Sequence, residues 1–293
     1  MPGRNVVENI SWGIAPSLAF GLGRPTKVIF SWQRLEQENV PDYGMPRQVY
    51  DYNPPVSSSN WYGLKARDYE NIKQDLLSAI VENTGRHGLK LRNLTRYGST
   101  HRDSIITAPR FVSGSTDVIR RSDWKSRDQN DVIFANQTHV DFDMMAGSIN
   151  HAISAGAEIS REQETNYNRV EDSATVLPDT DVYAPNPDDP YTGNITRDGA
   201  HNDTSADTMS LYAGDNIFAG QRWQVFLGLR YDTFDATHDV VDAADAITNN
   251  SRKNKALSGR LGAVASPPPS AGRHGSGTRH RVDKSRQRAA KNP

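Results

Sequence analysis

The chain has no cysteine among its 293 residues. That excludes disulfide frameworks, thiolate metal sites and thiol nucleophiles. No segment approaches the roughly 20 consecutive apolar residues of a membrane-crossing helix. The opening MPGRNVVENISWGIAPS has no apolar core of the length found in a secretory leader. Apolar side chains make up only 35% of the chain, and mean hydropathy is −0.71. That is polar for a water-soluble globular domain. Catalytic signatures are missing too. There is no G-x-S-x-G nucleophile elbow and no H-E-x-x-H metal helix. Gly21 and Gly23 lack the third glycine and the following helix of a dinucleotide loop. The residues therefore point to a non-enzyme that needs no cofactor and no resident metal.

Charge is nearly balanced, at −1, but unevenly placed. Seven of the 34 Lys/Arg and one of the 35 Asp/Glu lie in residues 266–293, which leaves 27 basic and 34 acidic residues in 1–265. The 266–293 segment, SPPPSAGRHGSGTRHRVDKSRQRAAKNP, has almost no large apolar residue. It reads as a disordered basic tail rather than a nucleic-acid site. The aromatic content and the periodicity of residues 1–265 argue against disorder there.

What the chain does have is a rhythm. Strand-like segments fit at 6–20, 26–37, 69–83, 89–102, 126–143, 149–162, 205–217, 222–236 and 254–265. Tight glycine-containing turns lie near 21–25, 84–88, 146–148 and 219–221, and alternate with long polar loops at 37–68, 103–125, 163–205 and 236–254. A soluble sandwich has no reason to gather its short connections at one end. An outer-membrane barrel does, with short periplasmic turns and long extracellular loops. Most segments exceed the roughly 9–11 residues that a tilted strand needs to cross a bilayer. Period-two alternation supports this. Trp223, Val225, Leu227, Leu229 and Tyr231 share a face against Gln224, Gly228, Arg230 and Asp232, with Phe226 the exception. Val132, Phe134, Val140 and Phe142 likewise oppose Gln137, His139, Asp141 and Asp143. Leu76, Leu77, Ile80 and Val81 also fit one helical turn, but the flanking rhythm assigns them to a strand. The expected fold is all-β: a partial transmembrane antiparallel β-barrel of about nine strands over residues 1–265.

The order and content of APSLAFGLG (15–23), EQENVPDYG (36–44), YGLKARDYE (62–70), LRNLTRYGSTHRDSIITAPRF (91–111), SADTMSLYAGDNI (205–217) and GLRYDTFDA (228–236) resemble TonB-dependent outer-membrane receptors of the catecholate siderophore group. The resemblance runs almost continuously over 14–264. It implies an outer-membrane location, ferric siderophore and membrane lipid as partners, and no nucleic acid. It also implies a barrel of roughly 22 strands, filled by an N-terminal plug that carries the TonB contact. Two departures stand out. The plug is expected to be missing ahead of Met1, so TonB is expected to act only through that missing segment. After LSGRLGAV (257–264) an expected aromatic-containing strand gives way to the proline-rich tail, as an out-of-frame reading would produce. Nine strands of such a wall leave two edges, so the fragment is expected to be inactive in transport by itself.

Capture of an anionic catecholate complex calls for aromatic faces and cations. The first long loop offers Tyr43, Arg47, Tyr50, Tyr52, Trp61 and Tyr62; the second offers Arg102, Arg110, Phe111, Arg120 and Arg121. Tyr43, Arg47, Trp61, Tyr62, Arg110 and Phe111 form the candidate ligand set. The competing reading is that these residues fold the loops onto each other or anchor the membrane interface. His139, Asp141 and Asp143 share one strand face and read as lumen lining before metal ligands. Asp188 and Asp189, between prolines in NPDDPYTG, read as a loop turn before a calcium site. The alternative function is a soluble all-β protein that binds a ligand through its aromatic and basic loops.

Overall fold

The computed structural model describes residues 3–46, 55–85, 88–172, 177–220 and 222–266. Strands β1 (Glu8–Ile14), β2 (Ser17–Phe20), β3 (Thr26–Val40), β4 (Tyr69–Thr84) and β5 (Lys90–Thr107) come first. The short β6 (Arg110–Phe111) and β7 (Val118–Arg120) follow, then β8 (Trp124–Ala146) and β9 (Ile149–Glu171). After the short β10 (Thr180–Asp181) come β11 (Ile195–Ala219), β12 (Trp223–Val241) and β13 (Ile247–Ala265). The long strands form one antiparallel meander in the order β1-β3-β4-β5-β8-β9-β11-β12-β13, with β2 also paired to β3. β1 and β13 are its two edges, so the sheet is a section of barrel wall.

All nine expected strands are present, the first one broken. The break between β1 and β2 falls at Ala15-Pro16, because proline has no N–H to give the ladder. The Pro16 carbonyl still accepts from the Trp32 amide, at 3.1 Å. The Leu76–Val81 stretch is strand, in register with Val28–Gln33. The loop-side ends run further than the hydropathy pattern suggests. The segment 236–254, expected as a long loop, is a correction: Ala236 pairs with Arg252 and Val241 with Ile247, and only 242–246 connect them. The segment 163–205 shrinks likewise, since β9 runs to Glu171 and β11 starts at Ile195. Above the membrane both faces of a strand meet water. Apolar-polar alternation then disappears although backbone pairing continues.

Direct pairing sorts the wall into two faces. Leu18, Phe30, Ala79 and Thr95 are successive partners, as are Trp32, Leu77, Tyr97 and Phe134. Ala157, Leu211, Tyr231 and Leu257 continue the same face across β9 to β13. Its large apolar side chains are exposed, as a lipid-facing band requires. The indole N–H groups of Trp12 and Trp32 donate to Glu36 (3.1 Å) and Asp75 (3.0 Å), which marks the level where apolar ring and polar tip part company. The other face is polar. There Tyr212 lies over Gly156, where any Cβ would come within 2.4 Å of its ring. His139 stacks on Tyr212 and binds Asp141 at 2.9 Å, a lumen-side arrangement.

The dry core lies in the loops. Tyr62, Ile119 and Val182 are buried together, with Val56 and Phe111 packed against them. β6, β7 and β10 make a small separate sheet through Phe111↔Ile119 and Thr180↔Ile119. A compact cap thus sits at the loop end of an extended wall.

Candidate functional site: the loop cap

The first loop enters the cap through Asn60-Trp61-Tyr62-Gly63-Leu64. Gly63 is required by close approach: a Cβ there would lie 2.3 Å from the Trp61 ring and 2.5 Å from the Asp68 carboxylate. The Trp61 indole donates to Pro41 O at 2.9 Å, and the Tyr62 hydroxyl to Val182 O at 2.7 Å. Asn60 Nδ2 donates to the Val182 and Tyr183 carbonyls (3.2 and 3.1 Å). One loop is thereby stitched to another more than a hundred residues away.

Arg121, from the second loop, joins all three. Its guanidinium is fully buried. Nε donates to Tyr62 O (3.0 Å), Nη1 to Asp189 Oδ2 (2.7 Å) and Nη2 to Asn186 O (2.7 Å). Burial pulls its pKa down, and the Asp189 hydrogen bond pulls it back up. Beneath it the buried Arg67 donates to Thr107 Oγ1 (2.6 Å) and Arg121 O (3.1 Å), and pairs with Asp68 (3.1 Å). Asp68 in turn accepts from the Thr107 amide at 2.9 Å. Tyr191 donates to Glu171 at 2.7 Å; burial, then that carboxylate, raises the phenol's pKa. Where the cap meets the wall, Asp128 holds Arg169 and Arg197, each at 2.8 Å. The Arg197 hydrogen bond depresses the Asp128 pKa, burial opposes it, and Arg169 adds to the depression. Arg197 also lies 3.7 Å over the Tyr167 ring.

The candidate ligand residues divide within this frame. Trp61 and Tyr62 are 3% and 1% exposed; their rings fold the loops together. Phe111 is half-buried on the same core. Tyr43 is 57% exposed, and Arg110 stands in solvent beside Asp123. Arg47, like Tyr50 and Tyr52, lies outside the described residues. Arg102 is held by Glu70 (2.9 Å) and Arg120 by Asp123 (2.9 Å). Asp188 pairs with Lys65 and Asp189 with Arg121, so both carboxylates of NPDDPYTG face cations. Sequence reasoning missed Asn60, Arg67, Asp68, Asp123 and Asp128. The available signal was the density of Arg and Asp in segments with no strand periodicity.

Residues 12–270 match the family described as TonB dependent receptor-like, beta-barrel. The chain belongs to that family. Among its relatives are the catecholate siderophore receptor Fiu of Escherichia coli K12, 27% identical over 264 residues, and the probable TonB-dependent receptor BfrD of Bordetella pertussis, 30% identical over 255. These alignments cover 82% and 80% of this chain and 34% of each relative, so the chain spans about a third of their length. Among solved structures, the open form of the ferric-catecholate import receptor Fiu from E. coli K12 superposes with a TM-score of 0.76 at 25% identity, covering 89% of this chain and 45% of that one. The siderophore receptor PiuA of Acinetobacter baumannii gives 0.76 at 21% identity, covering 91% and 41%, and supports the fold. The section of wall seen here is therefore TonB-dependent receptor barrel.

Proposed function

We propose that this chain forms the wall section and loop cap of an outer-membrane receptor that takes up ferric siderophores of the catecholate class. The observation that carries the reading is the extended similarity to the catecholate receptor Fiu, which spans wall and loops alike. The cap supports it physically. It is a charged surface, folded on its own buried core, at the loop end of a wall with one apolar face. Tyr43 and Arg110 present their side chains outward, while Trp61, Tyr62 and Phe111 set the shape of the surface beneath. Arg47 completes the proposed ligand set. In the whole receptor, energy for import comes through TonB; this chain's part is reception and containment.

Ligand binding tests the reading. The full chain, refolded in detergent micelles, is titrated with a ferric tris-catecholate complex while tryptophan fluorescence is followed. Saturable quenching that a ferric hydroxamate does not reproduce is expected. Equal response to both complexes, or none to either, would remove the catecholate assignment.

A further inference from the structure

We propose that Arg110 and Arg120 form an oxyanion-binding fork whose resting counter-ion is Asp123. The inference rests on the cap as the ligand-receiving surface, and adds to that surface a built-in competitor for the ligand.

The fork follows from the pleat. In the β6–β7 pair, Phe111 opposes Ile119 and Arg110 opposes Arg120. Phe111 and Ile119 are drawn into the core with Tyr62 and Val182. Side chains alternate along a strand, so Arg110 and Arg120 must emerge together on the other side. Like charges directly opposite on a sheet repel. Asp123 relieves this: one of its oxygens, Oδ2, lies 2.9 Å from Arg110 Nε and 2.9 Å from Arg120 Nη2. Two cations thus share one carboxylate oxygen, and the trio keeps a net charge of +1.

The trio is open to solvent, unlike the buried Arg67 and Arg121 of the cap. Arg67 and Arg121 are enclosed, and Arg197 grips Asp128 through two nitrogens. The Arg110 side chain is 64% exposed, with Asp123 as its ion-pair partner. Arg120 is 46% exposed and Asp123 35%. A guanidinium carries five N–H donors in a planar fork suited to paired oxygens. Two such groups, at opposed positions of neighbouring strands and drawn to one carboxylate oxygen, fit a ligand that presents adjacent anionic oxygens: the catecholate edge of a ferric complex, or a simple phosphate. A ligand of either kind would displace Asp123 from the shared position.

The full chain in detergent micelles, with Arg110→Gln, Arg120→Gln and Asp123→Asn variants, tests this against a ferric tris-catecholate complex and, separately, inorganic phosphate. Removing the internal competitor should tighten ligand binding about two- to fivefold, the factor expected from an exposed ion pair. Each arginine substitution should weaken it about tenfold. Far-UV circular dichroism and protease resistance of the cap control for folding. Asp123 lies in a loop and its carbonyl bond to the Ala108 amide is untouched by the substitution. If Asp123→Asn leaves affinity unchanged or weakens it while the cap stays intact, the fork is overturned. Tightened phosphate binding with no binding of the ferric complex would support the fork and sink the siderophore reading. A ferric complex that binds but ignores all three substitutions would do the reverse.

Discussion

At the scale of single residues, Arg121 decides whether three loops behave as one body. Its buried guanidinium satisfies two main-chain carbonyls and one carboxylate. Arg121→Met leaves the Asp189 charge without its partner and two acceptors unmet. Asp189 is partly exposed and keeps the Asn186 amide, so the loss is about 1–3 kcal/mol, that of unmet buried acceptors. The cap should then open locally while the strands persist. Limited proteolysis between residues 55 and 68 would show faster cleavage; unchanged protection would mean the loops are joined by something else. Asp128 makes the cap pH-dependent. Folding lowers its pKa, so its stabilisation is complete above the ordinary carboxylate value of about 4. It is lost as pH falls through the depressed folded value. Cap stability followed from pH 6 to pH 2 should therefore fall below about pH 4, and Arg197→Gln should flatten that fall. The individual residues of the cap were only partly legible in the sequence. Aromatic and basic loop residues marked the right region, yet ring size alone does not say whether a side chain faces a ligand or a neighbouring loop. Trp61 and Tyr62 turn inward because Gly63 lets the chain fold back on them, and that is a three-dimensional fact.

At the scale of elements, turn chemistry and period-two alternation made the strands readable. Gly21 and Gly147, at φ of +70° and +65°, sit at the tight reversals that set the rhythm. The loop-side ends were not readable, because DATHDVV and ITNNSRK lie in water on both faces and lose the hydropathy signal. The lipid-facing band also holds one polar surprise between β5 and β8. Asn93 Nδ2 donates to Asn136 Oδ1 (3.2 Å) and Thr138 Oγ1 (2.8 Å), while Asn136 Nδ2 donates to Asn93 Oδ1 (3.2 Å) and Thr95 Oγ1 (2.7 Å). Each amide donor is satisfied by the neighbouring strand, so the group fixes register without exposing unmet donors to hydrocarbon. In a double-mutant cycle, Asn93→Leu and Asn136→Leu should couple by about 0.5–1.5 kcal/mol in lipid. The double substitution should lose less than the sum of the two single losses. Strict additivity of the two substitutions in bilayer refolding would show that the amides act independently.

At the scale of the whole molecule, the two faces of the wall predict unequal tolerance. Leu229 lies on the apolar face and Ser258 on the polar one, although they belong to neighbouring strands. Leu229→Arg should lose about 2–4 kcal/mol of bilayer folding stability, as a cation does near the membrane midplane. Ser258→Arg should lose little. Similar losses at both sites, read from denaturant titration in vesicles, would mean that the faces had been assigned wrongly. The wall was legible from the sequence because spacing encodes it, and the family through the stretches that resemble it; the cap was legible only as a region, because its order comes from Arg and Asp contacts between distant loops. That division has a calorimetric consequence. Heat capacity rises on unfolding mainly when apolar surface passes into water. The wall's apolar face borders hydrocarbon in the folded state, whereas the interior formed by Tyr62, Ile119 and Val182 is sealed from water by protein alone. In a scan where the strands stay embedded, the heat-capacity step should come from the cap and should register its melting as a separate, earlier event.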